Sequence, residues 1–156
     1  MRAAPINLTD DTGRPWSLED HRGSGQVVFF GYTHCKDTCP LTLAKLSKAL
    51  FRSRAETAEV EFITVDPERD TPPVLHAYLK RFAGKFRGLT GSRAQIEAVE
   101  RSYHVWAQKL PGKHGDDDYD DAHTSTVFLI DRAGNIASLH DVDDSVGTLA
   151  RAIATL

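Results

Sequence analysis

Short apolar runs separated by polar turns divide this chain into strands and helices. Residues 26–32 (QVVFFGY) and 60–66 (VEFITVD) are compact runs of β-branched and aromatic side chains, which predict buried strands. Residues 126–131 (TVFLID) predict a further strand, and the turn RAGN leads into its partner, IASLH. Residues 6–18 (INLTDDTGRPWSL) predict a hairpin built around a polar turn.

Helix-start signals follow several of these runs. Pro40 suits the first position of a helix, where its missing N–H costs nothing, and Thr71 precedes a second helix that also opens on proline. Ser92 and the residues after it match a capping box, and Asp143 or Asp144 is expected to cap a last helix. The residues predicted to face the core are Leu43, Leu46, Leu50, Leu75, Tyr78, Leu79, Phe82, Ile96, Val99, Tyr103, Val146, Leu149, Ala150 and Ile153.

The order of these elements predicts the fold class. Strand–helix–strand–helix, followed by a hairpin and a terminal helix, is typical of a mixed α/β sandwich. We therefore expect a thioredoxin-like fold with an N-terminal β-hairpin extension. Residues 1–156 show no repeat, linker or composition shift, so we expect them to form a single domain.

Composition excludes several classes of function. The formal net charge of −3 and the pI near 6.1 argue against a nucleic-acid binder. No apolar run approaches the roughly 20 residues of a membrane span. The N-terminal residues lack the apolar core of a signal peptide, so we expect either a cytosolic protein or one whose export or anchor segment has been removed.

The chain has two cysteines, and both lie in the stretch GYTHCKDTCPLT at residues 31–42. Cys35 comes just after a predicted strand, and Cys39 stands at a predicted helix N-terminus. Unpaired N–H groups and the helix dipole stabilise a thiolate there, so we expect a lowered pKa for Cys39. This placement favours a chemical role over two small buried hydrophobic residues.

Two chemical roles fit the Cys-x-x-x-Cys spacing. Dithiol oxidoreductases of this fold usually have two intervening residues, and three leave room for both sulfurs on one metal ion. A disulfide stays compatible, since it requires only a Cβ separation of about 3.8 Å. Two thiolates are soft ligands that suit Cu(I), or Zn(II) with further partners.

A third ligand would come from the seven histidines. His34 adjoins Cys35, but neighbouring residues in an extended segment point in opposite directions. His123 directly precedes a predicted core strand, at the point where thioredoxins usually carry a cis-proline facing the cysteines. We therefore favour His123. The other histidines are His21, His76, His104, His114 and His140.

Four ordered motifs carry a family resemblance: FFGYTHCKDTCPLTLAKL, VDPERDTP, GLTGS and DDAHTSTVFLIDRAGNI. From about Leu8 to the final helix, the chain resembles the SCO/SenC family of copper-binding assembly factors. The resemblance implies a thioredoxin-like fold and one copper ion, Cu(I) or Cu(II), held by Cys35, Cys39 and His123.

The resemblance also implies a partner and a location. Members act on the binuclear copper centre of cytochrome c oxidase subunit II, as copper donor or as reductant of its cysteines. They are usually membrane-anchored and face the periplasm or the mitochondrial intermembrane space, whereas this chain shows no anchor. Further expected partners are another copper chaperone or a thioredoxin-like reductant. We expect a monomer that binds no nucleic acid.

Three features beside the motif cysteines change this expectation in detail. Many members have proline after the first cysteine, where this chain has Lys36, a cation that favours a thiolate. In VDPERDTP, Asp66 and Asp70 serve either as turn and cap residues or as supports of the cysteine loop. The acidic run GDDDYDDAH is either a solvated loop or a mobile arm that carries His123 and attracts a cationic partner.

Two functions of different classes therefore remain. The first is a copper metallochaperone. The second is a thiol–disulfide oxidoreductase, in which the more exposed Cys35 attacks a substrate disulfide and Cys39 resolves the mixed disulfide. A thiol peroxidase is disfavoured because the residues that would polarise a peroxide are not identifiable.

Overall fold

A computed structural model describes residues 1–36, 38–110, 120–123 and 125–156, with strand residues 109–110 and 120–123 described by their backbone. The strands are β1 (Asn7–Asp10), β2 (Pro15–Ser17), β3 (Gln26–Gly31), β4 (Glu59–Thr64), β5 (Phe86–Thr90), β6 (Ala107–Leu110), β7 (Asp120–His123), β8 (Val127–Ile130) and β9 (Ile136–His140). The helices are α1 (Thr38–Ser53), α2 (Pro72–Leu79), α3 (Arg93–Ser102) and α4 (Val146–Ala154), and a short 3-10 helix spans Leu18–His21.

A mixed sheet in the order β2-β1-β5-β4-β3-β8-β9 forms the centre of the fold. Strands β3, β4 and β5 are parallel, whereas β8 runs antiparallel to β3 and β1 runs antiparallel to β5. Every residue of β3 is buried, as expected of a central strand covered on both faces. Strands β6 and β7 pair with each other in a separate two-stranded sheet.

Helices cover both faces of the main sheet. Leu43 and Leu46 of α1, Leu75 of α2 and Leu149 of α4 pack with Phe62 on one face. The α3 residues Ile96 and Val99 pack with the N-terminal segment and β2 on the other face. Within the described residues, no helix combines the length and apolar character that a membrane span requires.

Most elements agree with the sequence patterns. The predicted hairpin is β1–β2, with Leu8 opposite Trp16, and the Asp10 carboxylate accepts the Thr12 and Arg14 N–H groups at 2.9 and 3.0 Å. The capping box at Ser92 is present with both of its hydrogen bonds.

The predictions at several helix ends were wrong in detail. Helix α4 is capped by Ser145, whose hydroxyl accepts the Thr148 N–H at 3.1 Å, rather than by Asp143 or Asp144. Helix α1 begins two residues before Pro40, at Thr38, so Cys39 already lies inside its first turn. Phe82 and Tyr103 lie just beyond the ends of α2 and α3, yet both still pack on the core.

One carboxyl group lies inside the core. Glu61 points to the α3 side of β4 and is fully buried, and the Gln26 side-chain amide lies within hydrogen-bonding distance of its oxygens. Burial raises the pKa of Glu61 well above its usual range, and the neighbouring Glu59 carboxylate adds to the rise. The folded protein therefore holds a proton on Glu61 that the unfolded chain releases at lower pH.

Replacing this carboxyl should stabilise the protein in a pH-dependent way. Because the folded-state pKa is the higher one, the stabilisation by protonated Glu61 is lost as pH rises above about 4.5, through the folded pKa. Each unit of pKa rise corresponds to about 1.4 kcal/mol. We expect Glu61→Gln to unfold at higher urea concentration than wild type, with a difference that grows from pH 5 to pH 9. Exposed Glu97→Gln is the control, and a pH-independent difference would contradict the assignment.

Candidate metal centre

The connection between β3 and α1 carries Cys35, and the first turn of α1 carries Cys39. The chain turns directly after β3, and the Cys35 N–H donates to the Tyr32 carbonyl at 3.2 Å. Cys35 is half-buried, whereas Cys39 is fully buried under the sheet edge, and both are thiols. The two sulfurs therefore differ in access to solvent, and the outer one belongs to Cys35.

The helix N-terminus acts on Cys35 rather than on Cys39. The backbone N–H of Cys39, in the first turn of α1, donates to the Cys35 sulfur over 3.4 Å. The hydrogen bond with Cys35, followed by burial, raises the pKa of Cys39 above its ordinary value. The predicted lowering of the Cys39 pKa was therefore wrong, because the Cys39 N–H points at the Cys35 sulfur, and the hydrogen bond with Cys35 and desolvation both disfavour the Cys39 thiolate.

A close approach of backbone and sulfur fixes the position of Cys39. A Cβ atom built on Gly31, the last residue of β3, would lie 2.8 Å from the Cys39 sulfur and 2.7 Å from the Phe62 ring. Carbon and sulfur cannot approach that closely, so this position requires glycine for space rather than for backbone freedom. Gly31 thus lets the Cys39 sulfur sit against the end of the strand.

Asp70 anchors the cysteine loop from the neighbouring strand connection. Its fully buried carboxylate accepts the Thr33 N–H at 3.0 Å, the Thr33 hydroxyl at 2.6 Å and the Thr64 hydroxyl at 2.7 Å. Burial raises the pKa of Asp70, even though these hydrogen bonds oppose the rise. The structure therefore favours the second interpretation of the VDPERDTP motif. Asp70 supports the cysteine loop by binding Thr33, which lies two residues before Cys35.

A second group of side chains meets beside this loop. Asp66 is fully buried and accepts a hydrogen bond from the Arg69 guanidinium, while His34 is exposed. One ligand atom each from His34, Asp66 and Asp70 lies within 4.8 Å of the others. This group was not predicted from the sequence, because the alternation rule disfavoured His34 as a ligand and the two aspartates matched turn, cap or supporting roles.

The structure places the backbone of His123 at the end of β7, opposite Ala107 of β6. Strand β8 begins shortly afterwards and runs antiparallel to β3, with Val127 opposite Phe29. The chain that enters β8 therefore approaches the sheet edge at which β3 ends and the cysteine loop begins. The His123 side chain, the residue His114 and most of the acidic run lie outside the described part of the chain.

Three other histidines contact local partners. His21 stacks on Trp16, with ring centroids 4.6 Å apart. The Nδ1 atom of His76 lies 2.8 Å from an Asp11 carboxylate oxygen. The half-buried His140 ring lies between the Ser138 hydroxyl and the Asp144 carboxylate, at 2.9 and 2.8 Å.

Comparison with known proteins assigns this arrangement to a family. The family model described as SCO1/SenC matches residues 2–156. The human "Protein SCO1 homolog, mitochondrial" is 35% identical over 159 residues, which cover 99% of this chain and 52% of the human protein. The chain thus spans about half the length of that relative.

Solved structures agree with the sequence match. The copper-bound structure of Arabidopsis thaliana ScoI has a TM-score of 0.90 at 32% identity, covering 99% of this chain and 97% of that one. The copper-bound structure of Bradyrhizobium japonicum ScoI has a TM-score of 0.89 at 36% identity, covering 99% of both chains. The expected thioredoxin-like fold is confirmed.

The contact between Gly31 and Cys39 generates a prediction. We expect Gly31→Ala to displace the Cys39 sulfur and to lower the free energy of unfolding by about 1–3 kcal/mol, the usual cost of overpacking a core. The displaced sulfur should also close a Cys35–Cys39 disulfide more slowly under a mild oxidant. Urea unfolding and mass spectrometry of timed, alkylated samples measure the two effects.

The matched control lies at the other end of the same strand. A Cβ on Gly25 would lie 2.6 Å from the Cβ of Leu156, so Gly25→Ala strains the fold far from the sulfurs. This control should lose stability but keep the wild-type rate of disulfide closure. Equal closure rates in Gly31→Ala and wild type would contradict a positioning role for Gly31.

Proposed function

The chain belongs to the SCO1/SenC family, and from this membership we propose that it is a copper-binding assembly factor that holds one copper ion through Cys35, Cys39 and His123. The observation that carries the proposal is the pair of thiols, one on an anchored loop and one in the first turn of α1, in a chain whose fold matches copper-bound relatives. Copper is the cargo in this proposal, and the protein supplies its ligands.

The donor chemistry fits copper in its reduced state. Two thiolates are soft ligands that favour Cu(I), and one imidazole completes a three-coordinate site. The same ligands, with a water or another donor, suit Cu(II). Gly31 leaves space for the Cys39 sulfur and Asp70 anchors the Cys35 loop, so the two sulfur ligands require little ordering when the metal binds.

Metal binding is coupled to proton release at the sulfurs. Because the pKa of Cys39 is raised, this thiol stays protonated at neutral pH until a metal ion replaces the proton. Copper affinity should therefore fall on acidification. The N–H of Cys39 stabilises negative charge on Cys35, which favours the outer sulfur as the first to meet the incoming ion.

His123 is proposed as the third ligand because of where its strand leads. Strand β7 ends at His123, and the following residues enter β8, whose first residues pair with the last part of β3. This antiparallel pairing brings the segment after His123 to the sheet edge that carries the cysteine loop. The acidic residues before His123 are poor donors for Cu(I), and they suit contact with a cationic partner surface.

The proposed partner is the binuclear copper centre of cytochrome c oxidase subunit II. Delivery of copper there requires a donor whose sulfurs can be approached from solvent, as Cys35 can be. Another copper chaperone or a thioredoxin-like reductant would load or reduce the cysteine pair. We propose that the protein works on the periplasmic or intermembrane-space side of a membrane.

A second candidate function rests on the unequal exposure of the cysteines. Cys35 is half-buried and receives the helix N-terminal N–H, whereas Cys39 is fully buried with a raised pKa. An attacking thiolate at Cys35 and a resolving thiol at Cys39 are the two roles that a thiol–disulfide oxidoreductase needs. This activity would reduce the target cysteines before they receive copper.

The copper proposal predicts the behaviour of cysteine variants. The reduced protein should bind one Cu(I) per chain under anaerobic conditions. Cys35→Ser and Cys39→Ser should each weaken binding by more than about 100-fold, because one soft ligand is lost. Competition with a chromophoric Cu(I) chelator at several pH values measures the affinity, which should decrease as the pH is lowered.

The control for Cys39→Ser introduces a hydroxyl elsewhere in the same buried helix face. Ala49 of α1 is fully buried, so Ala49→Ser tests the cost of a buried hydroxyl without removing sulfur. It should bind copper as wild type does. Full-affinity loading of either cysteine variant would refute the two-sulfur site.

A further prediction concerns His123. We expect His123→Ala to keep its fold and its dithiol chemistry, to bind Cu(I) roughly 10- to 100-fold more weakly and to change the Cu(II)–thiolate absorption, because a nitrogen ligand is lost. Chelator competition and visible spectroscopy measure these effects. His76→Ala, which removes an imidazole bound to Asp11, is the control. Unchanged affinity and absorption in His123→Ala would exclude this histidine and favour the oxidoreductase.

A further inference from the structure

Beside the cysteine loop, three metal-ligating side chains from two separate connections converge. His34 lies on the β3–α1 connection, and Asp66 and Asp70 lie on the β4–α2 connection. Their nearest ligand atoms, one nitrogen and two carboxylate oxygens, lie within 4.8 Å of one another. Both carboxylates are fully buried, while the imidazole is open to solvent.

The backbone fixes these three residues before any ligand binds. Strands β3 and β4 are parallel and end side by side, with Gly31 opposite Thr64, and the Val65 N–H donates to the Gly31 carbonyl at 2.8 Å. The Asp70 N–H donates to the Asp66 carbonyl at 2.9 Å, which closes the second connection into a tight turn. Asp70 in turn holds Thr33, the residue before His34. The geometry is therefore preorganised from both sides.

The pocket holds two carboxylates, of which Asp66 is paired with a guanidinium. Arg69 donates to Asp66, but Asp70 receives its hydrogen bonds from Thr33 and Thr64, which are neutral. The Asp70 Oδ1 atom accepts one of these hydrogen bonds, and a carboxylate oxygen can accept about two. A buried carboxylate is costly unless it is paired with a cation or coordinates a metal ion.

We propose that His34, Asp66 and Asp70 form a second metal site, distinct from the two-sulfur site, for a divalent cation such as Zn²⁺ or Cu²⁺. One imidazole nitrogen and two carboxylate oxygens match the preference of these borderline ions and are a poor set for Cu(I). The exposed side of His34 leaves room for water to complete the coordination. Because His34 directly precedes Cys35, an ion bound here also restrains the loop that carries the outer sulfur.

The test removes the other proposed site and asks whether a divalent ion still binds. In a Cys35→Ala, Cys39→Ala, His123→Ala background, we expect calorimetric titration with Zn²⁺ to show one site per chain. Adding His34→Ala should weaken binding at least about tenfold, as should Asp66→Asn, which keeps the shape of the side chain. Cu²⁺ bound to the same background should give an electron paramagnetic resonance spectrum of nitrogen and oxygen ligands without sulfur.

The control is His76→Ala in the same background. His76 is also an exposed histidine beside a carboxylate, Asp11. It lies on α2 and contacts the β1–β2 turn rather than the cysteine loop. It should leave Zn²⁺ binding unchanged. Equal Zn²⁺ affinity with and without His34→Ala, or no binding by the background, would overturn the second site.

The result of this test depends neither on the folding of the Cys39→Ala variant nor on the copper proposal. If Cys39→Ala disturbs the core, a Cys35→Ala, His123→Ala background that keeps the buried thiol replaces it, with the same expected and contradicting results. Cu(I) loading of the wild-type protein is measured separately, so failure of the two-sulfur site and failure of the His34 site give different outcomes.

Discussion

The parallel pairing of β3 with β4 is the constraint on which the rest of the site depends. Gly31 and Thr64 end their strands side by side, so the connections that follow leave the sheet at the same edge. One connection carries Cys35 and leads into the helix that holds Cys39, and the other carries Asp66 and Asp70. Polar and reactive groups lie there because the connections beyond the strand ends are not buried in the sheet. The strands themselves are held in place by core packing.

The Cys35 and Cys39 thiols differ in their properties because they differ in burial. Cys39 enters the core in the first turn of α1, where desolvation and the Cys35 sulfur disfavour its thiolate. Cys35 stays nearer to solvent and accepts a hydrogen bond from the Cys39 N–H in the first turn of α1. A soft metal ion bound by both sulfurs, as proposed, would replace the proton on the buried sulfur as well as on the more exposed one.

The elements with a strong local pattern were predictable from the sequence, and those defined by tertiary contact were not. The β1–β2 hairpin, the capping box at Ser92 and strand β3 follow from turn residues and apolar runs. Strand β5 was missed because Gly88 interrupts its pattern. The structure explains this glycine, since a Cβ there would lie 2.8 Å from the Cβ of Leu75 in α2. Among the described residues, β6 and β7 pair with each other outside the main sheet, and their sequences AQKL and DDAH lack the apolar run that reveals a core strand.

The same distinction holds within the site. The sequence predicted correctly that Cys35 follows a strand and that Cys39 stands at the start of a helix, because those elements have local signals. The direction of the Cys39 pKa change depends on which sulfur accepts the Cys39 N–H and on how far the first turn of α1 is buried. Neither can be deduced from the sequence pattern. His34 shows the same limit. The alternation rule separates it from Cys35, but the turn from Tyr32 to Cys35 ends the extended strand first, so the direction of His34 is set by the turn. The turn places the His34 imidazole beside the Asp66 and Asp70 carboxylates, directly before Cys35, so nitrogen and oxygen ligands lie next to a softer sulfur ligand.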